Sequence, residues 1–330
     1  MRPLNDSTTG HVDECRPHVS TLMAPFEYDE LAPAELRTPM PQELLRGAVS
    51  YMNVAYAAPL GWRPLTLDIH VPKDGVGPHP VVVYVHGGSF LGGITAMGPW
   101  RSLPASGVAV VSVSYRLSGE AQFPEPIEDI RAAIRWARAR AAEFNLNPSS
   151  IALWGSSAGA YLAEMAGITA DLSIGQPIGD NLAESARVTA IINHYGISSF
   201  ATLREDSFEN SPAEKDALDR IVRQFLGFDP YREPGRLEST SPLGLAAQRD
   251  EVPPFIFMHG ASDRRVGIGQ SRRLHEGLIA LGHRSKFVAV PGADHNDPIF
   301  SETAALKLVL DFLRETWAQP APNLSNEADA

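Results

Sequence analysis

Apolar and polar positions along this chain follow two periods. Between Gly47 and Pro72, two segments alternate apolar and polar residues, as half-buried strands at the edge of a sheet do. Short continuous runs rich in β-branched residues follow, HPVVVYV and GVAVVSV, and such runs are typical of strands buried on both faces. Ile127, Ile130 and Ile134 then recur at helical spacing, with charged residues on the opposite face.

Strands and helices continue to alternate towards the C-terminal part of the chain. The strands are IALWG, VTAIINHYG, PFIFMHG and KFVAV, and the helices are AGAYLAEMAG, a segment around Ser271 to Leu281, and Glu302 to Trp317. This order predicts an α/β fold with a mostly parallel central sheet and helices on both faces. The predicted organisation is an irregular N-terminal arm at 1–46, one α/β domain at 47–318 with a small helical cap insertion at about 197–248, and a mobile tail at 319–330.

Composition narrows the class of partner. The net charge of −11 argues against nucleic acid or an anionic membrane surface as a partner. Cys15 is the single cysteine, so no disulfide can form within the chain. An apolar signal segment and a membrane-length apolar run of about 18 residues are both missing from the sequence. We therefore expect a cytoplasmic protein.

A candidate nucleophile lies between a strand and a helix. Gly155-Ser156-Ser157-Ala158-Gly159 fits G-x-S-x-G and follows the strand IALW directly. A nucleophile elbow needs a strained turn at this place, with small residues two before and two after the serine. A larger side chain there is expected to collide with the neighbouring strand or helix. The register selects Ser157 as nucleophile and leaves Ser156 without a role.

A serine hydroxyl needs a base that is held by a third group. His295 follows the last predicted strand, and Asp263 follows the strand before it, which gives the chain order Ser, Asp, His. Loops after the ends of parallel strands gather at one edge of a sheet, so these residues are expected to converge. Asp294 and Asp297 flank His295, but no second ligand pair with zinc spacing accompanies them, and we predict no metal site.

A glycine-rich turn supplies the fourth element. His86-Gly87-Gly88-Ser89-Phe90 ends the strand VVVYV, and such a backbone can approach an oxyanion closely enough to donate N–H groups. The predicted donors are the amides of Gly88, Ser89 and Ala158. A tight turn or a phosphate cradle are the alternatives, although no lysine follows at the spacing of a phosphate-binding loop.

Two aromatic residues are candidates for the substrate pocket. Phe90 follows the oxyanion turn, and Tyr195 ends the strand expected beside the elbow, so both rings are predicted to face the pocket, with core filling as the alternative for each. The cap carries too few apolar residues for the broad lid of a lipase, and we predict acyl groups of roughly two to six carbons. The phenylalanines of the cap are Phe200, Phe208, Phe225 and Phe228.

Taken together, these segments resemble the esterase branch of the α/β hydrolases related to hormone-sensitive lipase and to bacterial acetyl and feruloyl esterases, over roughly Val49 to Trp317. HGGSF resembles the H-G-G-G loop of that group, SYRLSGEAQFPEPIEDIRAAIRWAR its Y-R-L…F-P…D…A…W segment, GSSAG its elbow, and HGASDRRV with PGADH its acid and base loops. Ser89 departs from the usual third glycine. The resemblance implies the α/β-hydrolase fold and says nothing of substrate choice.

The expected function is hydrolysis of short-chain or aryl carboxylic esters through an acyl-enzyme, with no cofactor. Three alternatives stay open: an amide hydrolase with the same triad, such as a kynurenine-formamidase-like enzyme or a peptidase; a non-catalytic binding protein on this scaffold; and a lyase that reuses the site. The sequence leaves open whether two chains form a homodimer.

Overall fold

One twisted sheet runs through the protein, which we describe from a computed structural model covering residues 39–59, 63–207 and 211–318. The strands are β1 (Ala48–Ala57), β2 (Leu65–Pro72), β3 (His79–Val85), β4 (Ala109–Val113), β5 (Leu146–Ser156), β6 (Ala190–His194), β7 (Phe255–Gly260) and β8 (Ser285–Val290). Within the described residues their order in the sheet is β1-β2-β4-β3-β5-β6-β7-β8. Strands β3 to β8 pair in parallel, whereas β2 is antiparallel to both β1 and β4.

Helices connect the parallel strands. They are α1 (Glu125–Ala139), α2 (Ala158–Ile168), α3 (Leu203–Asp206), α4 (Pro212–Leu226), α5 (Pro242–Ala246), α6 (Gly269–Ala280) and α7 (Thr303–Trp317), and short 3₁₀ turns lie at Trp100–Ser102, Pro104–Ser106, Pro234–Thr240 and Pro298–Ser301. The predicted α/β fold with a mostly parallel sheet is confirmed. Residues 1–38 of the predicted arm, the tail at 319–330 and Phe208 lie outside the described residues.

The two faces of the sheet carry separate apolar cores. Along β3, Val81, Val83 and Val85 belong to one core, and Val82 and Tyr84 belong to the other, because successive side chains of a strand point to opposite faces. The run of β3 is continuously apolar because a strand in the middle of a sheet that is covered on both sides buries the side chains of both its faces.

Helix α1 buries its charged face as well as its apolar one. Arg131 donates to Glu128 Oε1 at 2.6 Å, to Thr169 Oγ1 at 2.6 Å and to the Leu172 carbonyl at 2.9 Å. The chain that follows α2 covers this side of the helix. Helical periodicity identified the helix but could not indicate that its polar face would also be covered.

The segment between β6 and β7 contains α3, α4 and α5, where the sequence predicts a helical cap. Helix α4 begins with a capping box, in which Ser211 and Glu214 exchange hydrogen bonds between side chain and backbone. It ends at Gly227, whose φ of 75° is the left-handed conformation that glycine adopts without strain. Within the described ranges, no helix has the length and the apolar character needed to cross a membrane.

Candidate active site

The turn from β5 into α2 holds Ser157 in a strained conformation. Its φ of 54° and ψ of −123° lie in a region that side-chain-bearing residues rarely adopt, and its N–H donates to the His194 carbonyl of β6 at 2.9 Å. A Cβ on Gly155 would lie 2.3 Å from the Gly159 carbonyl oxygen, and one on Gly159 would lie 2.2 Å from the Val85 carbonyl oxygen of β3. The predicted need for small residues at both positions is confirmed.

Loops after three strands bring Ser157, His295 and Asp263 into one hydrogen-bonded line. Ser157 Oγ lies 2.9 Å from His295 Nε2, across 138 positions of sequence. His295 Nδ1 lies 2.7 Å from Asp263 Oδ2. Since a carboxylate only accepts, His295 carries its proton on Nδ1, which leaves Nε2 free to accept from the serine hydroxyl. The arrangement can take a proton from Ser157.

Asp263 is held from several sides. Its Oδ1 accepts the N–H groups of Arg265 and Val266, each at 2.9 Å. Its Oδ2 lies 3.2 Å from Nε2 of His259, which is fully buried at the end of β7. Burial alone would raise the pKa of Asp263, but the imidazoles of His259 and His295 outweigh it and hold this pKa well below the usual carboxyl value. The group is therefore an anion in a buried place.

The neighbouring Asp294 has different partners. Its Oδ1 accepts from the backbone N–H of His295 at 2.7 Å and of Arg264 at 3.1 Å, and its Oδ2 accepts from the Arg264 guanidinium. The carboxylate is thus occupied with backbone and with an exposed arginine. The imidazole of His295 turns away from it towards Asp263, as the sequence order predicts.

The glycine-rich turn after β3 lies against the nucleophile. A Cβ on Gly87 would lie 3.1 Å from Ser157 Cβ, and one on Gly88 would lie 2.0 Å from the Gly92 carbonyl oxygen. Ser89 has a φ of 57°, so it adopts the left-handed conformation that a third glycine would adopt freely, at a cost of roughly 1–2 kcal/mol. Within the described chain, the structure has no hydrogen-bond acceptor for the amides of Gly88, Ser89 and Ala158. These three N–H groups are therefore available to an oxyanion beside Ser157.

Phe90 and Tyr195 occupy other places than the sequence suggests. Phe90 is 1% exposed, and its ring stacks on Phe225 of α4 at 3.8 Å between centroids. Tyr195 is 3% exposed; its ring packs edge-on against His295, and its hydroxyl donates to Asn296 Oδ1 at 2.9 Å. Both rings are core residues that support the site, and neither presents an open face to a substrate. Core filling, the alternative considered for each, fits their packing.

Sequence reasoning missed two buried polar residues: one contacts the acid loop, and the other joins the start of α6 to the chain that follows β6. His259 Nε2 donates to the Val266 carbonyl at 2.7 Å, and its Nδ1 accepts from Ser271 at 2.7 Å. Gln270 is fully buried, and its side-chain oxygen accepts the N–H groups of Ser198 and Ser199. Both residues lie close to the acid in sequence, His259 four positions before Asp263 and Gln270 seven positions after it. A buried His directly before a glycine at a strand end was the available signal.

Ser156 also has a role that the pattern did not indicate. It is buried, and its hydroxyl accepts from the hydroxyl of Tyr84 at 3.0 Å. Its hydroxyl is thus engaged with Tyr84, whereas the hydrogen bonds of His295 go to Ser157 and Asp263. Groups of three or more His, Cys, Asp or Glu side chains placed to hold a metal ion do not occur in the described residues.

The strand order, the strained serine between β5 and α2, and the glycine turn after β3 define an α/β-hydrolase fold, in agreement with the resemblance noted above. Comparison with known families makes the assignment narrower. The chain belongs to the BD-FAE family, whose model matches residues 67–278.

Known relatives are named as esterases. Esterase LipC of Mycobacterium tuberculosis is 31% identical over 241 residues, which cover 69% of this chain and 56% of LipC. Carboxylesterase NlhH of the same organism is 45% identical over 148 residues, covering 44% of this chain and 45% of NlhH. A solved truncated carbohydrate esterase from gut microbiota superimposes with a TM-score of 0.74 at 26% identity, covering 85% of this chain and 100% of that one. The chain spans about half the length of these curated relatives.

Proposed function

We propose that this protein is a serine esterase that hydrolyses carboxylic esters through an acyl-enzyme. The observation that carries the proposal is the continuous line from Ser157 Oγ to His295 Nε2 at 2.9 Å and from His295 Nδ1 to Asp263 Oδ2 at 2.7 Å. Relatives named esterase and carboxylesterase support ester as the substrate class. A binding protein without catalytic activity would not need three polar groups in this alignment.

In the proposed mechanism, His295 takes the hydroxyl proton as Ser157 Oγ attacks the ester carbonyl carbon. Asp263 stabilises the imidazolium that forms. The amides of Gly88, Ser89 and Ala158 donate to the oxyanion of the tetrahedral intermediate, and loss of one such donor costs about 10² to 10³ in rate. His295 then returns the proton to the departing alcohol, and Ser157 keeps the acyl group.

Water completes the cycle at the same residues. His295 takes a proton from water as the water oxygen attacks the acyl carbon. The second intermediate collapses with cleavage of the bond between the acyl carbon and Ser157 Oγ; His295 returns its proton to Oγ, and the carboxylic acid leaves. The reaction needs only this chain, substrate and water, so no cofactor is part of the proposal. Short-chain or aryl esters are the proposed substrates, and a cytoplasmic location stays a prediction from the sequence.

The test compares two adjacent serines. We expect Ser157→Ala to reduce kcat for p-nitrophenyl acetate by several orders of magnitude, because a triad nucleophile is lost. Ser156→Ala is the matched control; it should retain activity within about threefold and lose about 1–3 kcal/mol of stability, because the Tyr84 hydroxyl loses its buried acceptor. Far-ultraviolet circular dichroism checks that both variants fold. More than about a tenth of the activity remaining in Ser157→Ala would refute the proposal.

A matched pair of substrates distinguishes an ester hydrolase from an amide hydrolase. The same acyl group is offered as a p-nitrophenyl ester and as a p-nitroanilide, and the values of kcat/KM are compared after correction for the uncatalysed rates. We expect turnover of the ester to dominate. A comparable acceleration of the anilide would instead place the protein among the amide hydrolases.

A further inference from the structure

Two consecutive residues of the oxyanion turn are held in a conformation that neither prefers. Ser89 and Phe90 have φ values of 57° and 58°, in the left-handed region that favours glycine. Such a conformation persists only where the surroundings hold it in place. The amides of Gly88 and Ser89 depend on this backbone for their direction. What holds Phe90 therefore also sets the oxyanion site.

Backbone hydrogen bonds hold one side of the turn. The N–H groups of Leu91 and Gly92 donate to the Gly88 carbonyl at 3.0 and 3.1 Å. The N–H of Ser118 donates to the Phe90 carbonyl at 2.8 Å. These bonds close the turn and attach it to the loop that follows β4.

Helix α4, which we call the cap helix, holds the other side of the turn through an aromatic stack. The rings of Phe90 and Phe225 are nearly parallel, at 12°, with centroids 3.8 Å apart, and both side chains are buried. Tyr161 of α2 meets Phe90 edge-on at 6.1 Å. The left-handed φ at residue 90 directs this ring towards α4, so the stack and the backbone conformation require each other.

The end of α4 is itself fixed to the same loop after β4. Phe123 N–H donates to the Phe225 carbonyl at 2.8 Å, and the Gln224 side chain donates to the Ser118 hydroxyl at 3.1 Å. Ser118 thus contacts the oxyanion turn through its backbone and the cap helix through its side chain. The cap helix, the loop after β4 and the oxyanion turn form one connected unit.

We propose that Phe225 is a positioning residue for the oxyanion site and that the cap contributes to the chemical step by holding Phe90, and through it the amides of Gly88 and Ser89. This inference rests on the proposed esterase function. Loss of the flat ring at position 225 lets residues 89 and 90 leave the left-handed conformation. The two donors then point at the oxyanion in only a fraction of the molecules.

The experiment replaces Phe225 by Leu and uses Phe228→Leu as the matched control. Phe228 is a buried phenylalanine of the same cap whose ring lies under the Arg236 guanidinium, and among the described residues it makes no ring contact with Phe90. With p-nitrophenyl acetate we expect Phe225→Leu to lower kcat by about 10- to 100-fold, less than or equal to the loss of one full donor, with KM within about twofold. Phe228→Leu should keep both constants.

A second readout distinguishes positioning from general loosening of the fold. A trifluoromethyl ketone forms a tetrahedral adduct with the nucleophilic serine whose oxygen requires the same donors, so its Ki should rise in parallel with the fall in kcat. Phe90→Leu should lower kcat about as much as Phe225→Leu does. The double variant should lose no more than either single variant, because the two residues act through one stack. All assays run well below the unfolding midpoint of the least stable variant, and Phe225→Met replaces Phe225→Leu if that variant does not fold.

Three outcomes would overturn the inference: a kcat for Phe225→Leu equal to that of Phe228→Leu, a rise in KM at constant kcat, or additive losses in the double variant. Failure of the esterase function itself is seen separately. It would appear as an active Ser157→Ala variant, whatever the Phe225 variants do.

Discussion

Asp263 keeps its charge in a place where burial opposes it. Two backbone N–H groups and two imidazoles surround the carboxylate, and its pKa lies well below the usual value despite the desolvation that raises it. A depressed pKa in the folded state means that the carboxylate adds stability at neutral pH, and that this contribution is lost as the pH falls through the folded pKa. His295 therefore faces an anion over the whole range in which an esterase would operate.

We predict that Asp263→Asn lowers kcat by about 10⁴, because an amide can favour the wrong tautomer of His295. Asp294→Asn is the matched control and should stay within about tenfold, because Asp294 contacts the backbone and Arg264 instead of the imidazole ring. The kcat of both variants is measured by steady-state hydrolysis of p-nitrophenyl acetate at neutral pH. A larger loss in the Asp294 variant would reverse the assignment of the acid.

At the scale of residues, the sequence predicts where a residue lies in the fold better than it predicts where its side chain points. Ser157, Asp263 and His295 each follow a strand of a parallel sheet, and strand ends converge by construction. Phe90 and Tyr195 were predicted to face a pocket, but both have positive φ, 58° and 42°, which turns the side chain away from the direction that an extended chain would give it. No pattern of letters reports the sign of φ at a non-glycine residue.

At the scale of elements, the three phenylalanines in the described part of the cap are already used for packing. Phe200, Phe225 and Phe228 are 2%, 0% and 7% exposed, and all three belong to the core that also contains Phe90. A lid that binds long chains needs apolar side chains that are free to meet them. In the described part of the cap, these three do not meet that need.

We therefore predict a preference for short acyl groups, now because the cap phenylalanines are buried and not because Phe90 and Tyr195 form the pocket walls. Each methylene that fits adds about 0.8 kcal/mol, whereas one that clashes loses more. The values of kcat/KM for p-nitrophenyl esters from acetate to decanoate should peak at roughly two to six carbons. A steady rise to the longest chain, or activation on emulsions, would contradict the prediction.

Periodicity predicts the type and order of the helices and strands in this chain. It does not predict which of their faces other parts of the chain will cover. The alternating strands, the buried runs and the amphipathic helices all lie where the pattern predicts them. Helix α1 shows the limit, because Glu128 and Arg131 lie on its polar face and are nevertheless buried; Thr169, which contacts Arg131, lies 38 positions further along the chain. A helical wheel reports which residues share a face but not what will later pack against it.

At the scale of the whole molecule, one buried acid makes stability depend on pH. Glu164 of α2 is fully buried; its Oε1 accepts from the Asn193 amide, and its Oε2 has no partner in the described residues. Burial raises the pKa of Glu164 well above its usual value, so the folded protein holds this carboxyl neutral. A raised pKa in the folded state means that the contribution of Glu164 to stability is fully present at low pH and is lost as the pH rises towards its folded pKa.

We predict that Glu164→Gln matches the wild-type stability at acidic pH and exceeds it increasingly as the pH rises. The amide has the same shape and no proton to lose, and the difference should grow by about 1.4 kcal/mol per pH unit from about pH 4.3 up to the folded pKa. Glu164→Ala is the contrasting variant, since it leaves a cavity and should be less stable at every pH. Chemical denaturation at several pH values measures the difference, and a gap that does not change with pH would show that Glu164 is ionised in the fold.

The 138 positions that separate the proposed nucleophile from the proposed base also have a meaning during synthesis. A nascent chain that has emerged only as far as α6 already contains the serine elbow and the acid, but it lacks the imidazole that would activate the serine. Under the proposed mechanism, such a fragment lacks the base that ester cleavage requires. The reaction becomes available only when β8 has emerged and joined the far edge of the sheet, so catalytic competence arises after most of the architecture is in place.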